Sequence, residues 1–258
     1  MNLLDTSIME KKMSVSSANL KILIFIPAYN VEKKIYSVVS KIPNSIFEKN
    51  SISLLIINDF SDDKTHLEIN RIKNDYDYNI EVFNSNKNLG YGGVQKYAFN
   101  YAINKSFDFV IMLHGDGQYL PEKLQDFIDR FDDKNIDAVF GSRMKSYSSA
   151  LKGGMPIYKF LGNIGLTFIQ NLILGSKMSE FHSGYRSFKV DSLKLINYEE
   201  MSNYYNFDTE IIIDFLKKKL NILEIRIPTY YGDEVSHLKS IPYGLKVLLS
   251  TFKSIFKK

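Results

Sequence analysis

The chain contains no cysteine and no long uninterrupted apolar run. Without cysteine there is neither a disulfide framework nor thiolate chemistry. No apolar run approaches the roughly 20 residues that a bilayer-spanning helix needs. Residues 1–17 are polar and lack a continuous apolar core, so no secretory signal is expected. These absences favour a cytoplasmic protein.

The chain also lacks a strong excess of either basic or acidic residues until its C-terminal segment. The formal net charge of +4 is small for 258 residues and argues against a dedicated nucleic-acid binder. After Glu234, however, there is no acidic residue, while five lysines follow. A hydrophobic content of 45% is ordinary for a globular domain.

Strand-like and helix-like segments alternate through most of the chain. Strands are predicted at 21–26, 52–57, 80–83, 109–113, 138–141 and 222–227. Helices are predicted at 31–42, from 61, 92–105, from 121, 158–174 and 207–220, with a loop at 146–156. This alternation predicts an α/β fold, a mainly parallel sheet with helices on both faces. We expect a flexible N-terminal arm (1–18), one domain (19–235) and a basic amphipathic C-terminal helix (236–258).

The most informative segment is His114-Gly115-Asp116-Gly117-Gln118, at the end of the predicted strand 109–113. A buried parallel strand that ends in an acid delivers it to the carboxyl edge of the sheet, where open α/β folds bind ligands. In extended chain, Asp116 and Gln118 would point to the same side and could hold a hard divalent cation through oxygen. The alternative is an ordinary glycine-rich turn.

Short polar or glycine-rich segments lie along the chain, several of them at the ends of predicted strands. They are Pro27-Ala28-Tyr29-Asn30, then Asp59, Ser61, Asp63 and Thr65, Asn88-Leu89-Gly90, Asp116-Gly117-Gln118, Gly141-Ser142-Arg143, Ser183-Gly184-Tyr185-Arg186, and Phe207 with Glu210. Together these segments resemble the motifs of family-two inverting glycosyltransferases of GT-A fold, in the branch around dolichyl-phosphate mannosyltransferase. The resemblance covers roughly residues 20–232. Two positions depart from the pattern, because Asn58 and His114 replace family acids.

The resemblance implies a nucleotide site and a divalent cation, Mg²⁺ or Mn²⁺. The nucleotide site would comprise Pro27, Ala28, Tyr29, Asn30, Glu32, Asp59, Asn88 and Gly90. Asp59 would accept the N–H edge of uracil or guanine, with a helix N-cap as the alternative. Asp116, with Gln118, would hold the cation. His114 would either join it or contact phosphate or substrate, since imidazole ligates manganese but suits magnesium poorly.

The resemblance also implies an acceptor site formed by Arg143, Lys159 and Ser183. A guanidinium binds phosphate oxygens in a planar fork, so Arg143 and Arg186 are candidate anion clamps. The alternative for each cation is a surface ion pair. His182 is either an acceptor contact or a structural histidine.

The reaction depends on the acceptor, and the candidate catalytic residues are Asp116, Asp208, Glu210, Arg143 and Arg186. A sugar hydroxyl needs a general base, for which Asp208 and Glu210 are candidates. A polyprenyl phosphate is already largely ionised at pH 7 and needs none. Both acids also lie where a helix dipole alone favours carboxylates.

The C-terminal segment adds a membrane hypothesis. Its apolar residues fall on one helical stripe with lysines along one edge, which is typical of a helix on an anionic membrane. The alternative is packing against protein. We therefore expect a cytoplasmic enzyme, peripheral on the inner face of the membrane, that moves a sugar from a UDP- or GDP-sugar to a polyprenyl phosphate or a lipid-linked glycan.

Other functions remain open from the sequence alone. One is transfer to a sugar hydroxyl in capsule, lipopolysaccharide or glycan assembly. A nucleotidyltransferase would usually carry a Gly-rich, basic loop after its first strand, which 27–30 lacks. The substitution at His114 makes a non-catalytic sugar-nucleotide binder conceivable.

Overall fold

The computed structural model describes residues 19–229, 231 and 240–256. The predicted N-terminal arm, 1–18, lies outside the described residues. The strands are β1 Lys21–Ala28, β2 Ser51–Asn58, β3 Ile80–Asn84, β4 Phe109–Met112, β5 Ala138–Ser142, β6 Arg186–Lys189 and β7 Ile222–Arg226. The helices are α1 Ile35–Ser40, α2 Ser45–Lys49, α3 Thr65–Asp75, α4 Gly90–Asn104, α5 Leu124–Ile128, α6 Tyr147–Lys152, α7 Ile157–Leu174, α8 Val190–Leu193, α9 Phe207–Lys217 and α10 Ser240–Phe256.

The seven described strands form one mixed sheet in the order β3-β2-β1-β4-β6-β5-β7. The pairs β1–β2, β2–β3, β1–β4 and β5–β7 are parallel, whereas β6 runs antiparallel to both of its neighbours. The sheet is therefore mainly parallel, as predicted. Because β1, β2 and β4 are parallel, the loops that follow them meet at one edge of the sheet.

Helices cover both faces of the sheet because successive residues of β1 point to opposite sides. Ile22, Ile24 and Ile26 pack in one core with α1, α3 and α5. Leu23 and Phe25 pack in the other core with α4 and α9. All five β1 residues are fully buried, so the strand reads as a continuous apolar run of the kind expected for a strand covered on both faces.

The structure corrects two local predictions. Residues 146–156 were expected to form a loop, but helix α6 lies within them, because Ala150 is buried in a small cluster with Met144 and Met155. Strand β6 was not predicted, because the polar residues Arg186 and Ser187 break the apolar pattern expected of a buried strand. Their polar atoms can be buried since they bond to backbone carbonyls.

Helix α7 contains no long uninterrupted apolar run, as expected, but its 18 residues are apolar on average. By length and composition it could cross a bilayer, and only 17% of it is buried. Mean hydropathy stays high because its polar residues are mostly uncharged. Its buried face is polar, formed by Asn163, Thr167 and Gln170, whereas apolar side chains such as Leu172 (74% exposed) face outward.

Candidate active site

A cavity of about 1040 Å³ opens at the carboxyl edge of the sheet. Most of the residues predicted for the site line it, namely Pro27, Ala28, Tyr29, Asn30, Glu32, Asp59, Asn88, Gly90, His114, Asp116, Gln118, Arg143, Lys159 and Asp208. Ser183, Arg186 and Glu210 are not among its lining residues. Helices α7 and α10 contribute further walls, which include Tyr158 and Tyr243.

Hydrogen bonds join the loops after β1 and β2 into one unit. The backbone N–H of Asn30 donates to Ser61 Oγ at 3.0 Å, and Asn30 Oδ1 accepts the N–H of Asp62 at 3.0 Å. Glu32 Oε2 accepts the N–H of Lys64 at 2.9 Å. These polar motif residues therefore fix the loop geometry at this side of the cavity.

Asp59 is buried at the start of α4. Its Oδ1 accepts the N–H of Leu89 at 2.6 Å and its Oδ2 accepts the N–H of Gly90 at 3.2 Å. Burial raises the pKa of this carboxyl, and the two backbone donors oppose that rise. Asp59 thus binds the amino end of α4, a helix other than the one that the sequence suggested it might cap, and each oxygen retains a lone pair for a ligand.

Asp116 and Gln118 lie in a turn rather than in extended chain. Gln118 donates its backbone N–H to Asp116 Oδ1 at 2.9 Å, and Gly117 adopts a positive φ of 77°. A residue other than glycine would be strained there. The turn keeps both side chains on the cavity wall.

His114 is packed beside this turn, against the rings of Tyr91 and Tyr119. Its Nε2 is buried and has no hydrogen-bond partner among the described residues. A Cβ at Gly184 would lie 2.6 Å from this nitrogen, so glycine is required for the close approach of the 183–186 segment.

The protein oxygen atoms that could bind a metal suit a cation that takes most of its ligands from the substrate. Within residues 19–229, 231 and 240–256, no three His, Asp or Glu side chains form a metal site by themselves. Asp116 and Gln118 supply oxygen to the cavity wall, and magnesium is commonly held by one or two carboxylates with substrate phosphates and water. Asp116 would hold the ion, with Gln118 beside it.

Arg143 is buried and largely committed to protein partners. Its Nε and Nη2 donate to Glu180, Nη2 also donates to the carbonyl of His182 at 3.0 Å, and Nη1 donates to Tyr231 at 3.1 Å. Of five guanidinium N–H groups, one on Nη1 has no hydrogen-bond partner among the described residues and can donate to a ligand. The guanidinium lowers the pKa of Glu180 against the opposing effect of burial. Glu180 was not among the predicted site residues.

Lys159, on α7, lies at the same part of the cavity. Its Nζ is 4.9 Å from the ring centroid of Tyr231, the phenol that also contacts Arg143. The two cations predicted for the acceptor are thus brought together around one tyrosine. Such an arrangement suits an anionic group better than a neutral sugar.

Asp208 lies at the amino end of α9 and is fixed by donors. Oδ2 accepts the hydroxyl of Tyr91 at 2.8 Å, and Oδ1 accepts Gln95 Nε2 at 3.0 Å. Arg186 Nη1 lies 3.7 Å from Oδ1 and donates to the Asp208 carbonyl at 3.0 Å. The structure therefore puts Asp208 in the cavity and Arg186 behind it, where Arg186 also binds the carbonyls of Phe181 and Ser183.

Glu210 lies two residues further along α9, about half a turn around the helix from Asp208, and holds local structure together. Its oxygens accept the backbone N–H of Ser202, the amide of Asn206 and the hydroxyl of Ser250. The last bond ties α9 to α10. Of the two candidate bases, only Asp208 is brought to the cavity.

Residues 23–196, more than half of the chain, match the family described as glycosyl transferase family 2. The chain belongs to this family. Its fold is GT-A: glucosyl-3-phosphoglycerate synthase from Mycobacterium tuberculosis, in complex with Mn²⁺, UDP and glucosyl-3-phosphoglycerate, superimposes with a TM-score of 0.65 at 14% identity, covering 92% of this chain and 80% of that one. The family and fold expected from the motifs are confirmed.

Two curated relatives carry names that concern lipid phosphates. UDP-N-acetylglucosamine–dolichyl-phosphate N-acetylglucosaminyltransferase of Methanococcus voltae is 29% identical over 238 residues, 88% of this chain and 92% of the relative. Undecaprenyl-phosphate mannosyltransferase of Micrococcus luteus is 21% identical over 221 residues, 85% and 87% of the two chains.

Proposed function

We propose that this glycosyltransferase moves a sugar, with inversion, from a UDP- or GDP-sugar to a polyprenyl phosphate or a lipid-linked glycan. The observation that carries the proposal is the position of the cavity. It joins the motif loops after β1, β2 and β4 to α7 and α10, two helices with apolar outer faces. The names of the two curated relatives support the same acceptor class.

The donor would lie against the motif loops. Asp59 would accept a hydrogen bond from the N–H edge of the nucleobase. The segment 114–118 would contact the diphosphate. A divalent cation held by Asp116 would stabilise the charge that develops on the leaving nucleoside diphosphate. The joined loops after β1 and β2 would keep this surface preorganised.

The acceptor phosphate would lie between Lys159 and the remaining N–H of Arg143. With a second pKa near 6, a phosphate monoester is mostly dianionic at pH 7. Its oxygen can form the bond to the anomeric carbon while the bond from that carbon to the diphosphate oxygen breaks. No proton has to be removed, and one displacement inverts the anomeric centre.

The position of Asp208 supports an alternative acceptor, a sugar hydroxyl. A hydroxyl nucleophile must lose its proton, and Asp208 is a carboxylate on the cavity wall. Its bonds to Tyr91, Gln95 and Arg186 would hold it in position for this task. The same bonds also suit a structural role at the amino end of α9.

The enzyme would work at the cytoplasmic face of the membrane through α7 and α10. Eleven apolar side chains of these helices are exposed, namely Ile157, Tyr158, Leu161, Phe168 and Leu172 of α7, and Ile241, Leu245, Leu249, Phe252, Ile255 and Phe256 of α10. Neither helix contains an acidic residue. An apolar face without acids suits an anionic lipid surface.

Transfer assays with both acceptor classes would test the proposal. With a polyprenyl phosphate acceptor, Lys159→Ala should raise the acceptor KM at least tenfold, while Asp208→Asn should cost far less than the 10²–10⁴ in rate expected for loss of a general base. Glu210→Gln should cost less than tenfold with either acceptor. Transfer to a sugar hydroxyl alone, with a loss of 10² or more in Asp208→Asn, would favour the alternative.

A further inference from the structure

The amino end of α10 reaches the cavity and contacts an active-site histidine. Tyr243 Oη lies 2.9 Å from His182 Nδ1, and the two rings meet edge to face with centroids 5.6 Å apart. Both side chains line the cavity. The C-terminal helix, for which the sequence suggested either a membrane contact or packing against protein, therefore forms part of the cavity wall.

The second ring nitrogen of His182, Nε2, is available to a ligand as far as the described residues show. Nε2 is buried, and no hydrogen bond to it exists within the described part of the chain. Buried polar atoms are nearly always hydrogen-bonded, so an orphaned one on a cavity wall indicates a ligand atom. The surroundings indicate which kind, because the His182 carbonyl accepts Arg143 Nη2, and Lys159 lines the same cavity.

The partner of Nδ1 determines what Nε2 can offer. Burial lowers the pKa of His182 to about 4, so the ring is neutral at pH 7, and burial raises the pKa of Tyr243, so its phenol stays protonated. A phenol O–H is a stronger acid than an imidazole N–H and therefore donates to Nδ1. The ring proton then resides on Nε2, which becomes a donor.

We infer that Tyr243 is a positioning residue that holds His182 as an Nε2–H donor to an anionic oxygen of the acceptor phosphate. This inference rests on the proposed function, because it assigns a phosphate to the acceptor side. It also makes α10 part of the acceptor site: a chain in which α10 is displaced loses the donor at His182.

Steady-state kinetics of Tyr243→Phe test the inference. Removing the phenol hydroxyl should raise the KM for a short-chain polyprenyl phosphate about tenfold, the value of one hydrogen bond to a charged group. The kcat and the affinity for the nucleotide sugar should change less than twofold. Tyr147→Phe, an exposed phenol on α6 away from the cavity, is the matched control and should leave all three unchanged.

A double-mutant cycle separates positioning from packing. His182→Gln supplies an amide N–H near the position of Nε2 without needing the phenol. In this background Tyr243→Phe should no longer raise the KM. Additive effects of the two substitutions, or an unchanged KM in Tyr243→Phe, would overturn the inference.

A spectroscopic measurement decides the tautomer independently of activity. In ¹⁵N-histidine-labelled wild type at pH 7, His182 should carry its proton on Nε2, and geranyl phosphate should shift that signal. In Tyr243→Phe the ring should become a mixture of tautomers and bind geranyl phosphate more weakly. A wild-type ring protonated on Nδ1 would overturn the inference. If this result holds but no polyprenyl phosphate accepts sugar, the proposed function fails separately.

Discussion

The predicted site residues divide into those that line the cavity and those that hold other residues in place behind it. Asp116, Lys159 and Asp208 line the cavity, whereas Arg186 and Glu210 bind protein groups behind it. Arg143 does both, since one N–H remains beyond its bonds to Glu180, His182 and Tyr231. Substitutions should therefore affect either catalysis or stability, depending on the group.

The first prediction concerns Asp116. Asp116→Ala and Asp116→Asn should abolish sugar transfer and metal-dependent nucleotide binding, because neither side chain has the charge to hold a cation. The melting temperature should change little, since the residue lies in a loop beyond the sheet. Asp132→Asn, an exposed acid elsewhere, is the control. Full activity of either Asp116 variant would exclude the metal role.

The second prediction is a pH dependence of stability set by His182. Its pKa is about 4 in the folded protein and about 6.5 when unfolded. Between these values the unfolded state binds a proton that the folded state does not, so stability falls as pH drops through this range. From pH 7 to pH 5 the loss should be about 2 kcal/mol.

Urea denaturation at pH 7 and pH 5 checks this dependence. In His182→Gln, the loss of unfolding free energy between pH 7 and pH 5 should be about 2 kcal/mol smaller than in wild type. His66→Gln, at an exposed position on α3, should leave the difference as in wild type. Equal pH dependence in wild type and His182→Gln would contradict the assignment.

At the scale of elements, α7 and α10 differ from ordinary surface helices, because their buried positions are mostly polar and many of their exposed positions are apolar. The buried positions of α7 are Asn163, Thr167 and Gln170, and those of α10 are Val247, Thr251 and Ser254. The two helices pack on each other, and α10 also packs on α9. A helix with its apolar face outward loses hydrophobic stabilisation unless something covers that face.

The third prediction is that the protein binds lipid vesicles, which would cover the exposed apolar faces of α7 and α10. Leu172→Asn and Phe256→Asn should each weaken binding to phosphatidylglycerol vesicles about tenfold, because each side chain contributes at least about 1.5 kcal/mol when buried. Leu195→Asn, equally apolar and 57% exposed but on neither helix, is the matched control. Wild type that stays unbound in a flotation assay and instead sediments as a dimer would contradict the membrane role.

The sequence predicted the regular elements well and the irregular ones poorly, for physical reasons. Strands β1, β2 and β4 are mostly apolar, and α4 and α7 carry long helical patterns, so each was predicted within about two residues. Strand β6 was missed because it buries Arg186 and Ser187. Helix α6 was missed because its stability depends on the cluster of Met144, Ala150 and Met155.

The site was predictable where one loop supplies the residue and its motif. Most motif residues after β1, β2 and β4 line the cavity, as a parallel sheet requires. Contacts between distant segments were not predictable. Neither Glu180 beside Arg143 nor Tyr243 beside His182 has a local signal, because each pairing depends on how α7 and α10 pack over the sheet.

At the scale of the whole molecule, one GT-A sheet carries a cavity at one edge, and the helices α7 and α10, with their apolar outer faces, form part of its wall. In the proposed function, the loops after β1, β2 and β4 would bind the nucleotide, while α7 and α10 would contact lipid. A water-soluble donor and a membrane-bound acceptor could then meet in the same cavity. We therefore expect a sugar to pass from a water-soluble nucleotide donor to an acceptor that is embedded in the membrane.

The most direct test is transfer by the purified wild type in the presence of phosphatidylglycerol vesicles that contain polyprenyl phosphate. A panel of UDP- and GDP-sugars with Mg²⁺ or Mn²⁺ is supplied, and the lipid product is analysed by mass spectrometry and by NMR of the anomeric centre. The account predicts a polyprenyl-phosphate sugar, formed from one donor of the panel, with inverted anomeric configuration. A product that retains the configuration, or transfer only to a soluble sugar hydroxyl, would contradict it.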